Sequence, residues 1–85
     1  MSDLADIEHW ATNLLDMAYK PPLGPSSRRE NVGLILTFFK DAEEIGIEHD
    51  DARITLHNEI LDIMPVIEPL KHVLRRVRRK LRAGS

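Results

Sequence analysis

The chain contains no cysteine. That excludes a disulfide framework, and it removes the thiolate as nucleophile or soft metal ligand. Aromatic residues are few, with one Trp, one Tyr and two Phe in 85 residues. None of them lies beyond Phe39, so the C-terminal half has no platform on which nucleobases could stack. Glycine is also sparse, four in all, and no glycine-rich phosphate loop is present. No apolar run approaches the roughly 20 residues that span a bilayer. The opening MSDLADIE is acidic and lacks the basic-then-apolar order of a secretion signal, which makes a cytoplasmic location the expectation.

The most informative absence is local. From Leu70 to Arg82, LKHVLRRVRRKLR, there is no acidic residue. The segment holds seven of the twelve Lys and Arg, while the preceding residues hold all fourteen acids and the other five bases. A formal charge of −2 therefore conceals a body near −9 joined to a tail of +7.

Apolar periodicity is helical throughout. Leu4, Ile7, Ala11, Leu14 and Ala18 recur at intervals of three and four, with Trp10, Leu15 and Met17 alongside, and Ser2 or Asp3 is placed to cap the start. Pro21 and Pro22 end this helix, because a residue that precedes proline is pushed out of the helical region. The connector KPPLGPSSRRE follows. Its Pro22-x-x-Pro25 spacing matches polyproline ligands, but between two packed helices it reads more simply as a stiff loop. Ser27 and Glu30 have the spacing of a capping box. The second helix then carries Val32, Ile35, Phe39 and Ala42 on one stripe with Leu36, Phe38 and Ile45 beside it. Neighbouring phenylalanines on a single stripe cannot both enter one groove, so one of Phe38 and Phe39 is expected to line the surface of the helix that faces helix three or a partner. Gly46 followed by Ile47 is a left-handed helix stop.

Glu48-His49-Asp50-Asp51 has the residue types of a cation site but not the spaced oxygen ligands of a calcium loop. It reads as a link followed by the acidic first turn of a third helix. From Leu56 a seam of Leu56, Ile60, Ile63, Ile67, Leu70, Leu74, Val77 and Leu81 keeps three- and four-residue intervals. A second stripe of Ile54, Leu61, Met64 and Val73 is expected to widen it. Pro65 and Pro69 interrupt the middle, each costing about 3 kcal/mol inside a helix. Either a fourth helix begins near Val66 with Pro69 in its first turn, or one long helix kinks there.

The fold expected is all-α: one domain spanning residues 1–85, a small bundle of three helices plus a proline-kinked or separate fourth, basic C-terminal helix. The helices fall at about 3–19, 27–45, 50–63 and 66–82, with a proline-rich loop at 20–26.

Catalysis finds little support. His57 and Glu59 stand two apart and so on different helical faces, and no hydroxyl nucleophile sits beside a base. His9, His49, His57 and His72 are scattered without metal-ligand spacing. No enzyme activity, metal, cofactor or small-molecule substrate is expected. Binding is the better reading. Lys71, Arg75, Arg78 and Arg82 follow a four-three-four rhythm and form a ridge, which Arg76, Arg79 and Lys80 extend. Macrodipole preference accounts for two or three bases in a last turn, not for seven across three turns, although acids of the body such as Asp41, Glu43, Glu44 and Asp62 could draw the helix in. The expected function is a small non-enzymatic binding or regulatory protein. Lys71, Arg75, Arg76, Arg78, Arg79 and Arg82, with Leu74 and Val77 of the seam, would engage an acidic protein partner or a second copy in a homo-oligomer. The alternative is a nucleic-acid-binding accessory protein that sets the same arginines on phosphates. A membrane surface is disfavoured, because the seam is narrow and carries no Trp or Phe.

Overall fold

A computed structural model of the chain describes residues 4–63 and 68–83. All regular structure among them is helical, in the order α1 Leu4–Ala18, α2 Pro25–Glu44, α3 His49–Ile63 and α4 Leu70–Ala83. The helices form a small bundle in which α2 and α3 make the middle. Both α1 and α4 pack on this pair, and not on each other.

Helix α1 buries Ile7, Ala11, Leu14, Leu15 and Ala18, the stripe its spacing predicts, and Tyr19 is buried just beyond its end. The cap expected at Ser2 or Asp3 lies outside the described residues, as does the side chain of Leu4.

Helix α2 starts three residues earlier than the capping box places it. Gly24 is the N-cap, with no side-chain cap bond, and Pro25 takes the first helical position. Proline suits that position, since its fixed φ is already helical and the N–H it lacks would have had no partner there. Ser27 is thereby drawn into the first turn, where its carbonyl accepts from Asn31 Nδ2 at 2.7 Å. Pro22 and Pro25 consequently stand in different structures, one in the loop and one in a helix.

Of the two places expected for the second phenylalanine, helix three or a partner, the structure supplies contact with helix three. Phe38 and Phe39 are both 0 % exposed. Helix α2 faces three neighbours rather than one, so its buried arc is wide enough for two residues that differ by about 100° around the axis. Phe39 meets Trp10 edge-on at 5.8 Å and His49 at 5.6 Å. Phe38 lies 5.3 Å from Phe39 on one side and beneath the Arg78 guanidinium, at 5.6 Å, on the other. The helix closes in a Schellman turn. Gly46 adopts φ 82°, its N–H donates to the Glu43 carbonyl at 3.1 Å, and the Ile47 N–H donates to Ala42 at 2.9 Å. Only glycine takes that φ without steric cost.

Helix α3 buries Ala52, Leu56, Glu59 and Ile60. The second stripe does not widen the core as expected. Ile54 is 61 % exposed and Leu61 is exposed as well, while Val73 is buried and Met64 lies outside the described residues. Although α3 touches α1, α2 and α4, their cover leaves Ile54 and Leu61 in solvent.

Helix α4 begins at Leu70, not Val66. Glu68 and Pro69 are non-helical, and the Pro69 carbonyl starts the ladder by accepting the N–H groups of His72 at 3.0 Å and Val73 at 3.4 Å. Proline therefore acts as the boundary residue, for which only its carbonyl is needed. The kink expected around Pro65, with Val66 and Ile67, lies outside the described residues. Leu70, Val73, Leu74 and Val77 complete the core.

Because Phe39 joins all of α1, α2 and α3, Phe39→Ala is expected to destabilise the fold by about 3–5 kcal/mol, whereas Ile54→Ala should stay within about 0.5 kcal/mol. Urea unfolding of the two variants beside the parent chain measures both values.

Candidate functional site

The seven cations of α4 fall into distinct strips around the axis, and the rotation of the helix decides which is which. Leu70, Val73, Leu74 and Val77 point into the core. Leu74 and Val77 are 2 % and 0 % exposed. They lie in the core of the chain, whereas the sequence expectation makes them part of a seam for a partner or second copy.

One flank of α4 faces α3. There Glu59, only 4 % exposed, is held between two cations one turn apart. Arg76 Nε donates to Glu59 Oε2 at 3.0 Å, and Lys80 Nζ donates to Oε1. The same Arg76 uses Nη1 to reach Glu68 Oε1. The backbone carbonyl of Glu68 in turn accepts the Tyr19 hydroxyl at 3.1 Å. One network thus ties the end of α1, the middle of α3, the segment before α4 and α4 itself. Burial and the nearby Glu68 carboxylate push the Tyr19 hydroxyl above its ordinary pKa. Hydrogen bonds to Glu68 and then Glu59 hold Arg76 even more firmly protonated than usual.

The other flank faces α2, where Arg78 Nη2 meets Asp41 Oδ2 at 3.3 Å above the Phe38 ring. Of the ridge expected from the sequence, Arg78 is therefore drawn into the body, and so are Arg76 and Lys80 from its extension. Arg82 is exposed and also engaged within the chain. The outward strip consists of Lys71, Arg75 and Arg79, with His72 beside them, all exposed. Among the described residues no ion pair is made by Lys71, Arg75 or Arg79. At 1.5 Å rise per residue these three repeat every ~6 Å over ~12 Å.

Sequence reasoning missed Glu59. The signal was present, since Ala52, Leu56, Glu59 and Ile63 keep the four-three-four interval of a buried stripe. A carboxylate on such a stripe requires cations from a neighbouring element, and α4 is the element richest in them. Among the described residues no three His, Asp or Glu side chains come together as a cation site, and no helix is long and apolar enough to cross a membrane. No protein-family model, curated protein or solved structure matches this chain.

The Lys80 hydrogen bond, reinforced by Arg76 and opposed by burial, holds the Glu59 carboxyl below its ordinary 4.5. A carboxyl whose folded pKa is depressed contributes stability that is complete above its unfolded value and is lost as pH falls through the folded one. Glu59→Gln is therefore expected to cost about 1.5–3 kcal/mol at neutral pH, the range for hydrogen bonds to charged groups. The gap between variant and parent should close as pH falls below about 4.5. Denaturant unfolding across a pH series reads both effects.

Proposed function

We propose that this chain is a non-enzymatic binding module that docks on an acidic protein surface through the outer face of α4. The observation that carries the reading is the strip Lys71, Arg75 and Arg79, three exposed cations one turn apart with no acid of the described chain against them. Acids are available within the body, and they are used on the flanks of the same helix, at Glu59, Glu68 and Asp41. The bare strip is thus what remains after internal neutralisation.

Magnitudes define the kind of docking. Three exposed ion pairs at about 0.2–1 kcal/mol each amount to less than the ~4 kcal/mol of a millimolar complex. Alone, the strip sets encounter rate and orientation more than affinity. A partner that presents carboxylates at one-turn intervals, as an acidic helix does, matches its repeat. Phosphates are the second reading, favoured by two arginines able to make bidentate contacts. Against it stand the acid-rich body and the absence of Trp, Tyr and Phe from α4.

The two readings separate in one titration. Fluorescence anisotropy with a labelled helical peptide bearing Glu at every fourth position, and with labelled duplex and single-stranded oligonucleotides, is run at two salt concentrations. The expected result is salt-sensitive binding of the acidic peptide, lost in Arg75→Glu/Arg79→Glu, with no comparable binding of the oligonucleotides. Duplex binding with a log–log salt slope near about −3, from about 0.9 per phosphate over three contacts, would replace the protein partner by nucleic acid. Binding of none of the probes at low salt, with the protein raised to several millimolar, removes the docking strip as a functional surface.

A further inference from the structure

Where α1 packs on α3, Arg53, Ile54, His57 and Asn58 of α3 line a pocket of about 280 Å³ with Trp10 of α1. The four α3 residues form two neighbouring ridges, because Arg53 and His57, and likewise Ile54 and Asn58, stand one turn apart. The Trp10 indole is held by Phe39, which meets it edge-on at 5.8 Å, and the Arg53 guanidinium lies over it at 5.8 Å.

Arg53 is the anomaly. Among the described residues the other half-buried arginines, Arg28, Arg76 and Arg78, are each met by a carboxylate. Arg53 is half-buried too and makes no ion pair, not even with its neighbours Asp50 and Asp51. Its Nε is buried without a hydrogen-bond partner. The indole does not supply one, since a cation–π contact engages the plane of a guanidinium while the N–H groups point out from its edge. The rest of the polar lining is the Asn58 amide, the His57 imidazole and the Trp10 indole N–H, all able to donate. No carboxylate lines this pocket, although other grooves of the bundle are lined by Glu8, by Glu48 and Asp51, or by Asp41 and Glu44.

We propose that this pocket binds a carboxylate carried on a branched aliphatic group. One permanent cation balances a monoanion, whereas a phosphate dianion calls for a second. The planar fork of the guanidinium matches the two oxygens of a carboxylate. Ile54, 61 % exposed in the pocket wall, offers apolar contact to the carbon next to it. Such a carboxylate comes either from a free small acid or from the C-terminus of a peptide that ends in an aliphatic residue.

Trp10 is the only tryptophan of the chain, so its emission reports on this pocket without a label. Isovalerate, isovaleramide, inorganic phosphate and an acetylated Gly-Leu dipeptide with a free or an amidated C-terminus are titrated at constant ionic strength. The expected result is a saturable change with isovalerate, with the free-terminus dipeptide or with both, half-complete at roughly 1–10 mM, the scale of one small charged contact. Neither amide should produce it, and the tighter of the two acids identifies the source. Arg53→Lys keeps the charge but loses the fork, and should weaken binding about tenfold or more while helicity is unchanged. Asn58→Ala, at an exposed position, should weaken it to a smaller degree. Binding to both variants is read from amide chemical shifts of α3, because changing Arg53 alters the Trp10 emission itself. No saturable response up to ~100 mM overturns the proposal. So does an equal response to the amides, tighter binding of phosphate than of either acid, or indifference to Arg53→Lys. Arg75→Glu/Arg79→Glu should leave isovalerate binding unchanged, so failure of this pocket and failure of the α4 strip are separately visible.

Discussion

The structure turns on one buried carboxylate. A charged Glu at the position of Glu59 costs several kcal/mol in lost hydration unless cations meet it in good geometry. Arg76 and Lys80 do so from successive turns of α4. The apolar stripe of α4 would pack on α2 and α3 in more than one register, because aliphatic contacts are not directional. The carboxylate is. A slip of four residues one way would offer it His72 and Arg76, and the other way Lys80 and Gly84, so each slip gives up a permanent cation. Glu59 thereby fixes the rotation and height of α4. Through Arg76 and Glu68 it also fixes where the preceding segment meets Tyr19.

That rotation decides which cations face outward. A formal +7 on α4 describes the sequence, not the surface, because Arg76, Arg78 and Lys80 are spent on Glu59, Glu68 and Asp41. Lys71, Arg75 and Arg79 remain outward. The polarity between acidic body and basic tail is thus partly cancelled inside the molecule, and what survives is a narrow strip with a one-turn repeat. At physiological ionic strength, where the Debye length is about 8 Å, such a strip acts on charges brought almost into contact with it.

Much of the fold was legible in the sequence. The three- and four-residue spacing marked the helices, Pro21 and Pro22 ended the first, and Gly46-Ile47 ended the second through a hydrogen-bonding pattern that needs a left-handed residue. Periodicity reveals that a helix has a buried face but not how far around the axis its neighbours cover it. The neighbours of α2 cover both Phe38 and Phe39; α3 also touches three helices, yet Ile54 and Leu61 lie outside their cover. Ser27 had good capping chemistry and lost to Gly24-Pro25, where backbone stiffness sufficed without a side-chain bond. The basic helix was visible as a candidate site, but its division into engaged and outward cations was not. That division depends on acids far away in sequence, 17 and 21 residues from their partners in the case of Glu59.

A strip of three exposed cations is worth too little to hold a partner by itself. What such a strip supplies is speed and orientation of encounter, which electrostatic complementarity governs more than affinity. Affinity would have to come from apolar contact beside the strip, and Leu74 and Val77, the nearest aliphatic residues of the sequence seam, are committed to the core. A partner reading Lys71, Arg75 and Arg79 would therefore have to bring its own second contact to another face of the bundle.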